Sequence, residues 1–269
     1  MDVLRYAAFT ADPSGGNPAG VVLDAAGMSD DEMLAIAAEV GYSETAFVTH
    51  SNGNGDFDLR YFSPVAEIPF CGHATIATAV ALPQTGRLVF HTPSGPVTVD
   101  ATERSATLTS VEPRVTELPP DDLALLLAAL RWSPGDLDPS LPPRITYAGV
   151  YHPVIAPVSR ERLRRLDYDV DALGDLMRAR DWTTIQLVWR EHESLFHARD
   201  PGPGVGIPED PATGAAAAAF GAYLRELELV SPPAAVTIIQ GEDFGRPSRL
   251  EVQIPKAGGI EVSGSAVEL

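Results

Sequence analysis

The stretch "PFCGHATIATAVAL" (residues 69–82) sets Pro69, Cys71, Gly72 and His73 directly in front of a run of small apolar residues. Nothing from Ala74 to Leu82 is charged, so a helix there lacks a polar face and has to be buried on all sides. Its small side chains let strands approach the helix backbone closely. The first N–H groups of such a helix have no partner within it, so an entrance carrying a thiol, a glycine and an imidazole must face something. A second stretch, "PEDPATGAAAAAFGAYL" (208–224), repeats the design with polar residues, a glycine and an Ala-rich run. The pair implies a sheet curled around a central helix, twice, with two helix N-termini turned toward one cleft as an anion site.

The flanking elements agree with that reading. "VLRYAAF" (3–9) reads as a strand, "GGNPAGVVL" (15–23) as a turn into another, and Ser29 with Glu32 as a capping box before a helix closed by Gly41. "SETAFVTH" (43–50) and "FDLRYFS" (57–63) alternate like paired strands around the turn "NGNG", and "RLVFHTPSGPVTVD" (87–100) with "SATLTSV" (105–111) forms hairpin strands after the first Ala-rich helix. "EPRVTELPPDD" (112–122) is Pro-rich and acidic, which makes it the candidate linker. The order then recurs, with helices near 121–131 and 159–179, strands "TTIQLVWRE" and "SLFHARD", the second Ala-rich helix, and a hairpin of "AAVTIIQ" and "SRLEVQI". The expectation is an α+β protein of two pseudo-symmetric domains, each a mostly antiparallel or mixed sheet curled around a central helix. Residues 1–115 form the first domain and 116–258 the second, with the final strand, 259–269, returning to the first.

Composition narrows the function. The 269 residues are 45% apolar, enough for real cores, and 19 Lys plus Arg against 37 Asp plus Glu give a formal charge of −18. That field repels phosphate backbones and anionic membranes, so neither nucleic acid nor membrane is an expected partner. An anionic ligand would have to be held by local donors. The opening "MDVLRYAAFTADPSGG" has no charged head followed by an apolar stretch, no run approaches the roughly 18 apolar residues of a span, and the single cysteine cannot form an internal disulfide. A cytoplasmic protein is expected. The one lysine, Lys256, sits beside a Gly-Gly turn, which argues against Schiff-base chemistry. "PGPGVG" (201–206) has the wrong glycine spacing for a dinucleotide loop, and "HESLFH" (192–197) sends its histidines to opposite faces of a strand. No cofactor and no metal are expected.

The segments "GGNPAGVVL", "SETAFV", "RYFSPVAEIPFCGHATIATA", "PEDPATGAAAAAFGAYL" and "IIQGEDFGRPSRLEV", in this order, closely resemble the signature segments of the PhzF-like phenazine-biosynthesis isomerase family, which shares the diaminopimelate epimerase fold. The resemblance runs from residue 14 to residue 253. It implies an active site between two domains, a homodimer, and cofactor-free proton transfer on a small carboxylate-bearing substrate. By the same resemblance Glu44 is the acid/base shuttle, with His73 and Asp210 as further catalytic residues. Asn17, Ser43, Cys71, Gly72, Thr213, Gly214 and Ala215 are the implied substrate contacts.

Taken singly, these residues have blander readings. Glu44 could be a strand-edge charge, His73 a capping or core residue, and Asp210 the N-cap of the second Ala-rich helix. Two departures stand out. The epimerase superfamily uses two cysteines, one per domain, and this chain has only Cys71, so a two-thiol epimerisation is excluded by count. At Ala215 the phenazine enzyme has a serine, and a lost hydroxyl puts the same substrate in doubt. The alternatives are a non-catalytic small-molecule-binding protein on this scaffold and a racemase or lyase using Cys71.

Overall fold

The structure, a computed structural model, describes residues 2–269. It divides into two units, one of Met1–Thr109 with Ser263–Leu269 and one of Ser110–Val262.

In the first unit, β1 (Leu4–Ala8), β2 (Asn17–Val22), α1 (Asp30–Val40), β3 (Glu44–Ser51), β4 (Asp56–Phe62), β5 (Glu67–Ile68), α2 (Gly72–Ala81), β6 (Gly86–Thr92), β7 (Gly95–Ala101) and β8 (Ser105–Thr109) follow one another. Helix α1 starts and stops where its caps dictate. Ser29 and Glu32 form the capping box, three acidic residues fill the first turn, and Gly41 ends the helix at φ 72°, its N–H on the Ala37 carbonyl. The parallel pair β2–β3 needs the crossover that α1 supplies, while β3–β4, β6–β7 and β7–β8 are antiparallel and β4–β6 parallel. The chain's last strand, Glu261–Glu268, pairs with both β1 and β8, which closes these strands into a ring. Helix α2 lies against β1, β2, β3, β7 and β8 and is buried from His73 through Ala79. Its two threonines stay satisfied inside, Thr75 on the Cys71 carbonyl (2.6 Å) and Thr78 on the Ala74 carbonyl (2.7 Å).

The second unit runs β9 (Arg114–Glu117), α3 (Pro120–Ala129), β10 (Arg144–Tyr147), β11 (Tyr151–Ile155), α4 (Arg160–Arg164), α5 (Val170–Arg180), β12 (Gln186–His192), β13 (Leu195–Gly202), β14 (Ile207–Asp210), α6 (Gly214–Glu226), β15 (Ala234–Gln240) and β16 (Ser248–Ile254), and then enters β17 (Glu261–Glu268). Its pairings repeat the earlier succession: β10–β11 antiparallel, β11–β12 parallel across a helical crossover, β12–β13 antiparallel, β13–β15 parallel, β15–β16 antiparallel. Helix α6 takes the place that α2 has, buried from Ala216 through Leu224 and packed on β9, β10, β11 and β16. The segment expected to be a linker contains a strand, since Arg114–Glu117 pairs antiparallel with β10. "RVTE" alternates and holds β-branched residues, and the flanking prolines limit it to four residues.

Candidate active site

Glu44 opens β3 directly after a bend that holds Ser43, and it pairs with Ala19 across the parallel β2–β3 ladder. Cys71 is the N-cap of α2 in extended conformation, and its side chain does not cap the helix. His73 follows in the first turn. The three converge: His73 Nε2 lies 3.2 Å from Glu44 Oε2, Cys71 Sγ lies 3.5 Å from the same oxygen, and Cys71 Sγ is 3.3 Å from His73 Nδ1. Asn17, the first residue of β2, puts Nδ2 3.2 Å from His73 Nδ1. With the amide donating, Nδ1 accepts, so Nε2 carries the ring proton and donates it to Glu44. The Glu44 carboxylate thus receives an imidazole N–H and a thiol S–H while its side chain keeps 19% exposure. It is the most open member of a group in which Cys71 and His73 are buried.

The backbone makes this convergence possible. Gly16, at φ 70°, brings the chain into β2 so tightly that a Cβ would lie 2.4 Å from Thr10 Cγ2 and 2.5 Å from the Ala8 carbonyl, so only glycine delivers Asn17 here. Behind the site, the Tyr61 hydroxyl meets Thr75 Oγ1 at 2.6 Å, anchoring the first turn of α2, and burial pushes the Tyr61 phenol well up. At Gly72 the nearest atoms to an added Cβ are 3.9 Å away. Packing does not demand a glycine there.

In the second unit Asp210 ends β14 and Thr213 is the N-cap of α6. Thr213 spends its hydroxyl on Asp210 Oδ2 (2.7 Å) rather than on the helix, so Asp210 is a buried acceptor outside the cap position. Gln240, at the end of β15, holds the turn together. It accepts from the Thr213 N–H (3.2 Å) and donates to the Asp210 carbonyl (2.8 Å) and to Thr213 Oγ1 (3.0 Å). Gly241 fixes that placement, since at φ 75° a Cβ would fall 2.3 Å from the Arg246 carbonyl and 2.9 Å from that of Pro211. The neighbouring Glu209 accepts a two-bond fork from one guanidinium edge of Arg199, Nε to Oε1 (2.8 Å) and Nη2 to Oε2 (2.5 Å). Asp210 therefore stands beside an acid that is ion-paired with Arg199. Gly214 and Ala215 form the partly exposed first turn of α6.

The structure thus gathers Asn17, Glu44, Cys71 and His73 in one unit and Asp210 and Thr213 in the other. Gln240 was missed by sequence reasoning. Its signal is a polar amide closing an apolar alternating strand immediately before a positive-φ glycine, "TIIQG". The histidines of "HESLFH" serve elsewhere: His197 lies between Glu191 and Glu242, each at 2.5 Å, and His192 is exposed.

The chain is similar to known proteins along nearly its whole length. A family model described as phenazine biosynthesis-like protein matches residues 6–269. An uncharacterized isomerase of Bacillus subtilis is 33% identical over 285 residues, covering 99% of this chain and 96% of its own length. A trans-2,3-dihydro-3-hydroxyanthranilate isomerase of Pseudomonas chlororaphis is 31% identical over 274 residues, covering 97% and 94%. Among solved structures, a PhzF-family phenazine biosynthesis protein from Bacillus anthracis superposes with a TM-score of 0.88 at 26% identity, covering 100% of this chain and 98% of that one.

Proposed function

Because the chain belongs to the phenazine biosynthesis-like PhzC-PhzF family, whose named relatives are isomerases, we propose that it is a cofactor-independent isomerase that moves a proton between carbons of a small carboxylate-bearing substrate, with Glu44 as the shuttle. One observation carries this reading. A single carboxylate, partly open, is held by an imidazole at 3.2 Å and a thiol at 3.5 Å, both buried. In the forward step a substrate C–H bond breaks as the Glu44 O–H bond forms, and the electron pair is delocalised into the substrate. Glu44 then returns the proton to a second carbon, so no electron acceptor is required. His73, oriented by Asn17, donates from Nε2 to steady the carboxylate or the charge that develops on a substrate oxygen. The uncapped N-terminus of α2 offers its N–H groups to the substrate carboxylate, and Gly72, which packing does not require, lets that carboxylate approach the backbone. In the second unit Asp210, Thr213 and Gln240 form a hydrogen-bonded polar turn of their own.

A second reading has its own observation, the Cys71 Sγ to His73 Nδ1 distance of 3.3 Å, which suits a thiol activated by imidazole as in a racemase. The experiment that separates them uses trans-2,3-dihydro-3-hydroxyanthranilate and its analogues as trial substrates, with solvent-deuterium incorporation as the readout. Glu44→Gln is expected to lower turnover by about 10² to 10⁴, the usual range for a lost general base, with ligand affinity within roughly tenfold. Cys71→Ala is expected to lose far less. The reverse ranking would establish the thiol as the acid/base group.

A further inference from the structure

Against the sequence expectation of no metal, we propose that Glu44, Cys71 and His73 form a transition-metal site of the zinc class, with Asn17 as the residue that orients the histidine. The three donors, a thiol sulfur, an imidazole nitrogen and a carboxylate oxygen, all lie within 4.8 Å of one another. Their separations have the dimensions of a zinc coordination face. Zinc bonds of about 2.3 Å to sulfur and about 2.0–2.2 Å to nitrogen and oxygen, at tetrahedral angles, require S···N and S···O near 3.5 Å and N···O near 3.3 Å. The structure has Sγ···Oε2 at 3.5 Å, Nε2···Oε2 at 3.2 Å and Sγ···Nε2 at 3.8 Å. Side-chain shifts of a few tenths of an ångström convert the triangle into three vertices of a tetrahedron, the fourth being a water or a ligand carboxylate.

The donor set selects the metal class. Thiolate and imidazole are poor ligands for magnesium or calcium and good ones for zinc and its congeners. Cys71 is the N-cap of a ten-residue helix and its side chain makes no cap hydrogen bond, so its sulfur is turned to Glu44 and His73 rather than to the helix. The surrounding field helps as well, because a chain of formal charge −18 attracts cations. Asn17 completes the design. Its side chain, 3.2 Å from Nδ1, holds the ring with Nε2 toward Glu44 and Cys71. Metal ligation and proton transfer are competing uses of the Glu44 carboxylate, so the metal acts as an inhibitor of the proposed reaction rather than its cofactor.

The test reads binding without substrate and so stands or falls independently of the isomerase reading. The chelator-stripped chain is titrated with Co²⁺, then with Zn²⁺ against a chromophoric chelator. Cys71 is the chain's one cysteine, so a thiolate-to-cobalt charge-transfer band can arise at this site alone. The expected result is that band, saturating at one equivalent and bleached by Zn²⁺. Cys71→Ser should abolish the band and weaken Zn²⁺ binding by about tenfold or more, His73→Gln should weaken it similarly, and Asn17→Ala should weaken it by roughly tenfold. Melting curves confirm that each variant is folded. The wild-type spectrum needs no variant: a cobalt complex without the thiolate band overturns the proposal, as does Zn²⁺ affinity unchanged in folded Cys71→Ser.

Discussion

Asp200 and His152 show how far one residue's environment can depart from its place in the sequence. In "HARDPG" an aspartate beside an arginine reads as a surface charge, yet Asp200 is fully buried opposite Asp210 in the β13–β14 ladder. Burial pushes its carboxyl well above the usual range, the charges of Asp210 and Glu209 push further, and the Thr184 hydrogen bond at 2.9 Å pulls the other way. Thr184 also meets His152 Nδ1 at 2.8 Å, and burial presses that histidine down to about 4. The two act oppositely on stability. His152 stays neutral when folded, so it costs stability as pH falls from about 6.5 toward its folded value. Asp200 holds a proton that the unfolded chain has released, so it costs stability as pH rises above about 4 until its own raised value is passed. Asp200→Asn removes the second effect while keeping an acceptor for Thr184. Its stability relative to wild type should grow by about 1 kcal/mol per pH unit across that window, so denaturant midpoints at pH 5 and pH 8 must diverge. Equal differences at both pH values would mean that Asp200 is ionised. Asp210, by contrast, was legible because the turn residues Pro211, Thr213 and Gly214 and an Ala-rich helix follow it. A buried acid on an ordinary strand carries no such punctuation.

Among the elements, the two Ala-rich helices were the most legible, because a charge-free run of small residues permits only a buried helix. Helix α1 was legible through its caps. What escaped were the elements too short for periodicity to speak, β5, β9, β10, β11 and β14, whose pairing is decided by their neighbours in space. Escape of β14 matters most, since it carries Asp210. Close approach to the helices was inferred from small side chains, and Gly221 on α6 measures how close it is. A Cβ there would lie 2.8 Å from Ile260 Cγ2 and 2.9 Å from Val252 Cγ1, both on branched side chains with little room to give. Gly221→Ala sets a helix-propensity gain of about 1 kcal/mol against an overpacking cost of about 1–3 kcal/mol. The packing term wins, so the variant should melt lower than wild type. A higher melting temperature would show that β16 and the segment at Ile260 yield to α6.

At the scale of the whole chain, the first unit is completed by its most distant residues. The last strand pairs Ala266, Val267 and Glu268 with Ala8, Ala7 and Tyr6, and Leu269 donates its N–H to the Arg5 carbonyl at 2.8 Å. On its other side it joins β8, where Ser263 and Thr107 share a hydroxyl hydrogen bond of 2.8 Å. Gly264 lies so close to Phe9 that a Cβ would come within 2.3 Å of the ring, while Phe9 itself is held at φ 64° and fully buried. That strand therefore bridges the two ends of an otherwise open sheet and covers a core aromatic. Loss of residues 263–269 would expose the facing edges of β1 and β8, which are templates for pairing with other chains, and would uncover Phe9. The truncated protein should lose its cooperative melting transition or show it lowered by on the order of 10 °C or more, with a shift to aggregates on size exclusion. Helix α2 leans on β1 and β8 as well, so the geometry of Cys71 and His73 should loosen with the ring. A monodisperse truncation that melts like the full chain would mean that β1 and β8 hold α2 without the closing strand.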